Sequence, residues 1–272
     1  MLLSDLLLYA LAGAAAGFLG GLLGIGGGLL IVAALTFTLP ASGLTGPAII
    51  HVAVATALAG MVLTFSASTY AHYRTGNIMG ASWARLAPGM IIGTLIGTAL
   101  EGSMSGIVLR LAITAFCALT AWRMIASSNK PQPDQTNIPR SLWLFPAGIG
   151  IATLSSIVGI GGGSLTVPLL LSLRVKPVRA IATSAACGLV IVSAAAAANM
   201  LITHQAGPTA GHRHPWGLIG TVYLPAAITA ALASTLTARW GVRVANRLSG
   251  PALKRSFAVF LLIIGAIIAL GG

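Results

Sequence analysis

Acidic residues are almost missing from this sequence. In 272 residues it has three, Asp5, Glu101 and Asp134, against 15 Lys and Arg. Charged side chains of either sign make up 7% of the chain, where a soluble protein carries about 25%. Such a chain cannot cover its own surface in water. Cysteine is equally scarce. Cys117 and Cys187 stand alone in separate apolar segments, so neither metal-ligand spacing nor a disulfide can be argued from them. No nucleophile sits with a base, no acids are paired and no metal cluster is visible, so no catalytic residue, metal or cofactor is expected. His212 and His214 lack a third ligand and read as loop residues. Met1–Tyr9 has no basic stretch, which argues against a cleaved signal peptide.

What the chain has instead is apolar length. Hydrophobic residues are 57% of it and the mean hydropathy is +0.96. The apolar segments run over Leu6–Leu23, Leu29–Leu39, Ala48–Tyr70, Trp83–Leu100, Ile107–Ile125, Leu142–Val158, Leu165–Leu173, Val178–Ile202, Gly217–Leu236 and Leu253–Leu270. They are too long and too numerous for core helices in water, which leaves the bilayer as solvent. The net charge of +12 would suggest nucleic acid in a soluble protein. Here the basic residues sit in short loops between apolar segments. They read as a positive-inside signal, and no nucleic-acid partner is expected.

The long polar stretch Ser127–Arg140, with three prolines, divides the chain into residues 1–126, a linker over 127–141, and residues 142–272. The halves resemble each other. Gly20–Val32 reads GGLLGIGGGLLIV and Ser155–Val167 reads SSIVGIGGGSLTV, with Gly24 and Gly159 135 positions apart. AVAT at Ala53–Thr56 then matches AIAT at Ala180–Thr183. Two matches in the same order point to an internal duplication.

One helix from Leu6 to Leu39 would be about 50 Å long, against a hydrocarbon core of about 30 Å. The glycine run therefore interrupts it, giving either one broken span or a hairpin that returns to its side of origin. Charge distinguishes the two. One broken span per half gives parallel halves and divides the basic residues six against nine. A hairpin plus three crossings per half gives inverted halves and leaves only Arg110 and Arg213 opposite the other 13. The second division obeys the positive-inside rule. The expected fold is thus an all-α polytopic membrane protein of two inverted repeats, each a Gly-broken hairpin plus three transmembrane helices. Its place is the inner membrane, with both termini periplasmic and the linker cytoplasmic.

Breaks that enter from opposite sides meet near the midplane in transporters of this plan. Broken backbone at that depth is tolerated inside protein or beside a water-filled cavity. The helices restarting after each break present free N–H groups and a positive dipole end, which suits a small anion. Candidate binding residues are Gly26, Gly27 and Gly28 in the first half, and Gly161, Gly162, Gly163, Ser164 and Thr166 in the second. Thr56, Thr183 and Ser184 lie several residues into their own spans and join the set. His51 is a candidate proton or anion relay, since an ionisable group in a span is a functional candidate by default. Asp5 and Asp134 are expected outside the spans, and Glu101 at a segment end. Without a carboxylate relay, export is the easier direction for an anion, because a potential negative inside drives it outward.

Six stretches in order now carry a resemblance: GLLGIGGG at Gly21–Gly28, HVAVAT at His51–Thr56, HYRTGNI at His72–Ile78, GIGGGSLTVP at Gly159–Pro168, GTVYLPA at Gly220–Ala226 and LKRSFAVFLL at Leu253–Leu262. Together they resemble the sulfite exporter TauE/SafE family over essentially the whole chain. The resemblance implies a permease for sulfite, organosulfonates such as sulfoacetate, or related sulfur anions. The first repeat departs from the family pattern at Ala33, usually proline, and Ala57, usually serine. The second keeps Pro168 and Ser184. The expected function is secondary transport of such an anion, with an anion channel of the same architecture, or a membrane assembly factor, as the other readings. The expected partners are the anion and the lipid bilayer, and a homodimer is left open.

Overall fold

The computed structural model describes residues 3–23, 27–42, 49–126, 143–173, 175–201, 218–245 and 250–270. In this part of the chain the ten apolar segments become ten helices: α1 Leu3–Leu23, α2 Gly28–Thr38, α3 Ile49–Arg74, α4 Gly80–Ser103, α5 Gly106–Ala126, α6 Leu144–Val158, α7 Gly163–Ser172, α8 Pro177–Leu201, α9 Leu224–Ala245 and α10 Gly250–Leu270. A 3-10 turn, Leu39–Ser42, extends α2. The segment expected to start at Gly217 begins instead as a small hairpin, β1 Leu218–Ile219 against β2 Val222–Tyr223. Its turn carries Gly220 at φ 58, and Pro225 suits the first turn of the helix that follows.

Helices α3, α4, α5 and α8 each contain a stretch long and apolar enough to cross a membrane. The arms α2 and α7 have 11 and 10 residues, about 15 Å of helix, half the hydrocarbon thickness. Large apolar side chains such as Leu11, Leu95, Ile107, Leu111 and Leu262 point outward and stay exposed. A bilayer covers them as water would not, so the chain is an all-α membrane protein.

Small residues set the helix contacts. Gly89, Gly93 and Gly97 of α4 lie against the backbone at Phe145, Ile149 and Thr153 of α6, and Thr153 Oγ1 donates to the Gly93 carbonyl at 3.0 Å. Gly13 and Gly17 of α1 lie against Ala230 and Ser234 of α9, and Thr237 Oγ1 donates to the Ala14 carbonyl at 2.7 Å. Where lipid is as apolar as the side chains, such close approach and hydroxyl bonding drive helix association. The two pairings are counterparts, since α1 and α6 are the first arms of the two breaks.

These contacts also fix direction. Numbers rise together along α1 and α9, along α4 and α6, and along α3 and α9, where Gly60 meets Ala227 and Thr64 Oγ1 lies 3.4 Å from Ser234 Oγ. They rise together along α4 and α8, where Trp83 Nε1 donates to the Ala186 carbonyl at 3.2 Å. Along α3 and α8 they run oppositely: Phe65 meets Gly188, while Ala55 clusters with Met200. So α1, α3 and α9 run one way, and α4, α6 and α8 run the other.

Candidate functional site

The second break is built by two left-handed glycines. α6 ends at Gly159, φ 75, and the N–H of Ile160 turns back to the Ser155 carbonyl at 2.9 Å. α7 starts from Gly162, φ 77, whose carbonyl accepts from Leu165 at 3.2 Å and Thr166 at 2.9 Å. A side chain at either position would strain the backbone. In the first half Gly27, φ 69, plays the part of Gly162, accepting from Leu30 at 3.1 Å and Ile31 at 3.3 Å. The duplicated sequence thus folds into the same restart twice. The two breaks also touch: a Cβ added to Gly28 would stand 2.6 Å from the Gly159 carbonyl oxygen. Gly26 lies outside the described residues.

Around the second break the hydroxyls are buried and idle. Ser155 and Ser156 on α6, Ser164 and Thr166 on α7, Ser184 on α8, and Thr94 and Thr98 on α4 are each at most 7% exposed and make no hydrogen bond. Three of them lie against glycines: a Cβ on Gly162 would lie 3.6 Å from Ser155 Oγ and 3.8 Å from Thr166 Oγ1, and one on Gly97 would lie 2.9 Å from Ser156 Cβ. A buried hydroxyl without a partner costs about 1–3 kcal/mol. Buried unbonded hydroxyls beside a backbone break are what a polar ligand would satisfy. The N–H groups of Gly163 and Ser164 precede the first bonds of α7, made by Leu165 and Thr166, and have no helical carbonyl a turn earlier.

Five of the seven come from the second half. At the 135-residue spacing, Ser155, Ser156, Ser164 and Thr166 correspond to Gly20, Gly21, Leu29 and Ile31. Ser184 corresponds to Ala57 through the AVAT and AIAT match. Each of these five thus stands where the first half has an apolar residue or glycine. Gly161, Gly162, Gly163, Ser164, Thr166 and Ser184 belong to this region, whereas Gly27 and Gly28 contribute backbone only.

Thr56 and Thr183 have another employment. Thr56 Oγ1 accepts from the N–H of Tyr223 at 3.0 Å, and Thr183 Oγ1 accepts from the N–H of Met79 at 3.0 Å. Met79 and Tyr223 are the residues just before α4 and α9. Each threonine therefore accepts from a backbone N–H just before a helix start in the opposite half. Asn199 is likewise engaged: Nδ2 donates to the Ala195 carbonyl at 2.9 Å, and Oδ1 accepts from Thr221 Oγ1 at 3.0 Å, which ties the small hairpin to α8.

His51 does not stand alone. Its Nδ1 lies 2.6 Å from Glu101 Oε1, with the two side chains 13% and 3% exposed. Glu101 was expected at the end of its segment, and it stands two residues before the end of α4 at Ser103. It is also buried, because the spacing from Thr94 through Thr98 places it on the inner face. The signal that could have found Ser155 and Ser156 was their replacement of two glycines in an otherwise matched repeat. Thr94, Thr98 and Glu101 sit at helical spacing on one face, a pattern readable once α4 is known to extend. Among the described residues no three His, Cys, Asp or Glu side chains are grouped as a metal site, and Cys117 and Cys187 are buried free thiols.

The sulfite exporter TauE/SafE family model matches residues 9–268. A protein named probable membrane transporter protein from Haemophilus influenzae is 31% identical over 259 residues, 95% of this chain and 96% of that one. A probable membrane transporter protein from Methanocaldococcus jannaschii is 25% identical over 262 residues, 95% of this chain and 93% of its own. One from Bacillus subtilis is 28% identical over 151 residues, 53% of this chain and 58% of its own. No solved structure matches the chain significantly. With a family model covering nearly its whole length and full-length relatives named as membrane transporters, the chain belongs to the sulfite exporter TauE/SafE family and is a membrane transporter.

Proposed function

We propose that the protein carries sulfite, an organosulfonate or a related small sulfur oxyanion across the bacterial inner membrane, binding it at the second glycine break. The observation that carries this reading is the set of buried, unbonded hydroxyls at Gly162 and the start of α7, those of Ser155, Ser164 and Thr166. Hydroxyl and backbone N–H donors, with a helix N-terminus behind them, recognise an oxyanion without any cationic side chain. The substrate class follows from the family, and the donor set is compatible with it. A carrier is favoured over an open channel by Phe65, whose ring packs on Gly161 and Gly188 and is 5% exposed, sealing one side of the break.

The halves serve as inverted repeats in this proposal, divided as residues 1–126 and 142–272 around a cytoplasmic linker. Support comes from the opposite directions of α1 and α6, of α3 and α8, and of α4 and α9. Exposed Tyr70, Tyr73, Trp83, Trp122, Trp143 and Trp240 all fall at the end of the bundle that holds Arg74, Arg85, Arg123 and Arg243. The aromatics support an interface there, and the basic residues support a cytoplasmic one, with both termini periplasmic in this proposal. Export is the proposed direction, because a potential negative inside drives each negative charge outward by about 2.3 kcal/mol per 100 mV. The test is flux of sulfite, sulfoacetate and sulfate in proteoliposomes with and without an imposed potential. Saturable flux of one or more, faster outward from a negative interior, is expected. Movement of none removes the substrate assignment, and voltage-independent flux removes the stated driving force.

A further inference from the structure

Glu101, near the end of α4, is a buried carboxylate, and nothing in anion recognition explains it. Glu101 is sealed at 3% exposure, and His51, its ion-pair partner at 2.6 Å, is the more exposed of the two at 13%. A buried ionised acid is costly, and a carboxylate adds repulsion to a protein built for anions. Its position is also specific. Thr94, Thr98 and Glu101 form one buried stripe on α4, and Gly97 beside them lies against Ser156, one of the unbonded hydroxyls. A polar line therefore runs from the His51–Glu101 pair to the break.

We infer that His51 and Glu101 are the proton site of this transporter, taking up one proton that binds and crosses together with the anion; this rests on the anion-carrier reading above. The protonation states count as follows. With one shared proton the pair is neutral overall, either imidazolium beside carboxylate or imidazole beside carboxylic acid. Releasing that proton to water leaves a buried carboxylate against a neutral imidazole, a net charge of minus one. An anion arriving at the hydroxyls is repelled by the deprotonated pair and accepted by the protonated one. By linkage, the bound anion strengthens proton binding by the same factor. A dianion moving with one proton crosses as a single negative charge, so the potential still drives it outward.

The surroundings leave few competitors for this role. Helices α2 and α6, packed on α3, carry no ionisable group. The other elements packed on α3 and α4 bring Arg110, Cys117 and Arg123 from α5, Arg179 and Cys187 from α8, Arg239 and Arg243 from α9, and Tyr223 from β2. The helices themselves add Tyr70, His72, Tyr73, Arg74 and Arg85. Of all these, Arg110 near the start of α5 and Tyr223 before α9 share the His51 end of the bundle. The other arginines, the remaining tyrosines and His72 cap the opposite end. Both cysteines lie within the spans.

Proteoliposomes holding a pH-sensitive dye and loaded with radiolabelled sulfoacetate test the inference, since that anion is fully ionised near neutral pH and carries no proton of its own. Wild-type flux should carry protons in the same direction. The steady-state anion gradient should change about tenfold per unit of imposed pH difference, as one coupled proton requires. Glu101→Gln should abolish the dye response and flatten that tenfold dependence, with His51→Gln weakening both. Wild-type anion flux with an unmoved dye overturns the inference and leaves the carrier reading standing. Loss of flux for every sulfur anion overturns the carrier reading itself. Proton movement that survives in Glu101→Gln overturns the assignment to this pair. Should that variant not fold, the wild-type dye response and His51→Gln decide the matter.

Discussion

Thr166→Val should make the protein more stable and worse at its task. Valine keeps the shape of threonine and removes the hydroxyl. Thr166 Oγ1 is fully buried on α7 and bonds to nothing, so the folded protein bears its desolvation without return. Leaving such a group unsatisfied costs about 1–3 kcal/mol, and its removal should raise the stability of the ligand-free protein by about 1–2 kcal/mol. With anion bound the same hydroxyl is a donor, and losing it should weaken binding by a similar amount, roughly 5- to 30-fold in KM. The two effects have opposite signs, which an ordinary packing defect cannot produce. Thermal unfolding in detergent without anion reads the first, and initial flux against substrate concentration in proteoliposomes reads the second. A lower melting temperature in Thr166→Val, or an unchanged KM, would refute the reasoning, since either outcome means the hydroxyl already has a partner or never meets the anion.

Thr56→Val and Thr183→Val should behave in the reverse way, each destabilising by about 1–3 kcal/mol because the N–H of Tyr223 or Met79 loses its acceptor; the same melting assay checks this. Gly28→Ala should disrupt the contact of the two breaks, because its Cβ would stand 2.6 Å from the Gly159 carbonyl, costing about 1–3 kcal/mol and most of the flux. Replacing Ser164 by Leu and Thr166 by Ile copies the first-half residues Leu29 and Ile31 into the second break and should leave a folded bundle that no longer transports. Cysteine labelling of the 127–140 linker by an impermeant reagent should fail from the periplasmic side of intact cells, and success would reverse the proposed orientation.

Much of this was legible in the sequence because membrane helices announce themselves by composition. Ten apolar segments became ten helices, and the GIGGG repeat found the two restarts. The hairpin at Leu218–Tyr223 was hidden, because Leu, Ile, Val and Tyr serve a strand as well as the start of a span. Within the site, the chemistry of single residues misled where their partners were distant in sequence. Thr56 and Thr183 look like ligands on one helix, and only the fold brings Tyr223 and Met79 to them. Glu101 does stand near the end of its helix, and what the sequence hid is its burial and its partner His51, 50 positions away. The inequality of the halves was readable: Ser164 and Thr166, against Leu29 and Ile31, are two of the buried unbonded hydroxyls.

The central claim is that the second break, through its unbonded hydroxyls, holds the transported anion. Concentration-dependent flux of radiolabelled sulfite into proteoliposomes, compared between the wild type and a folded Ser164→Ala/Thr166→Val double variant, tests it most directly. The account predicts saturable flux in the wild type and a KM raised at least tenfold in the variant. A variant whose saturation curve overlays the wild type would contradict it.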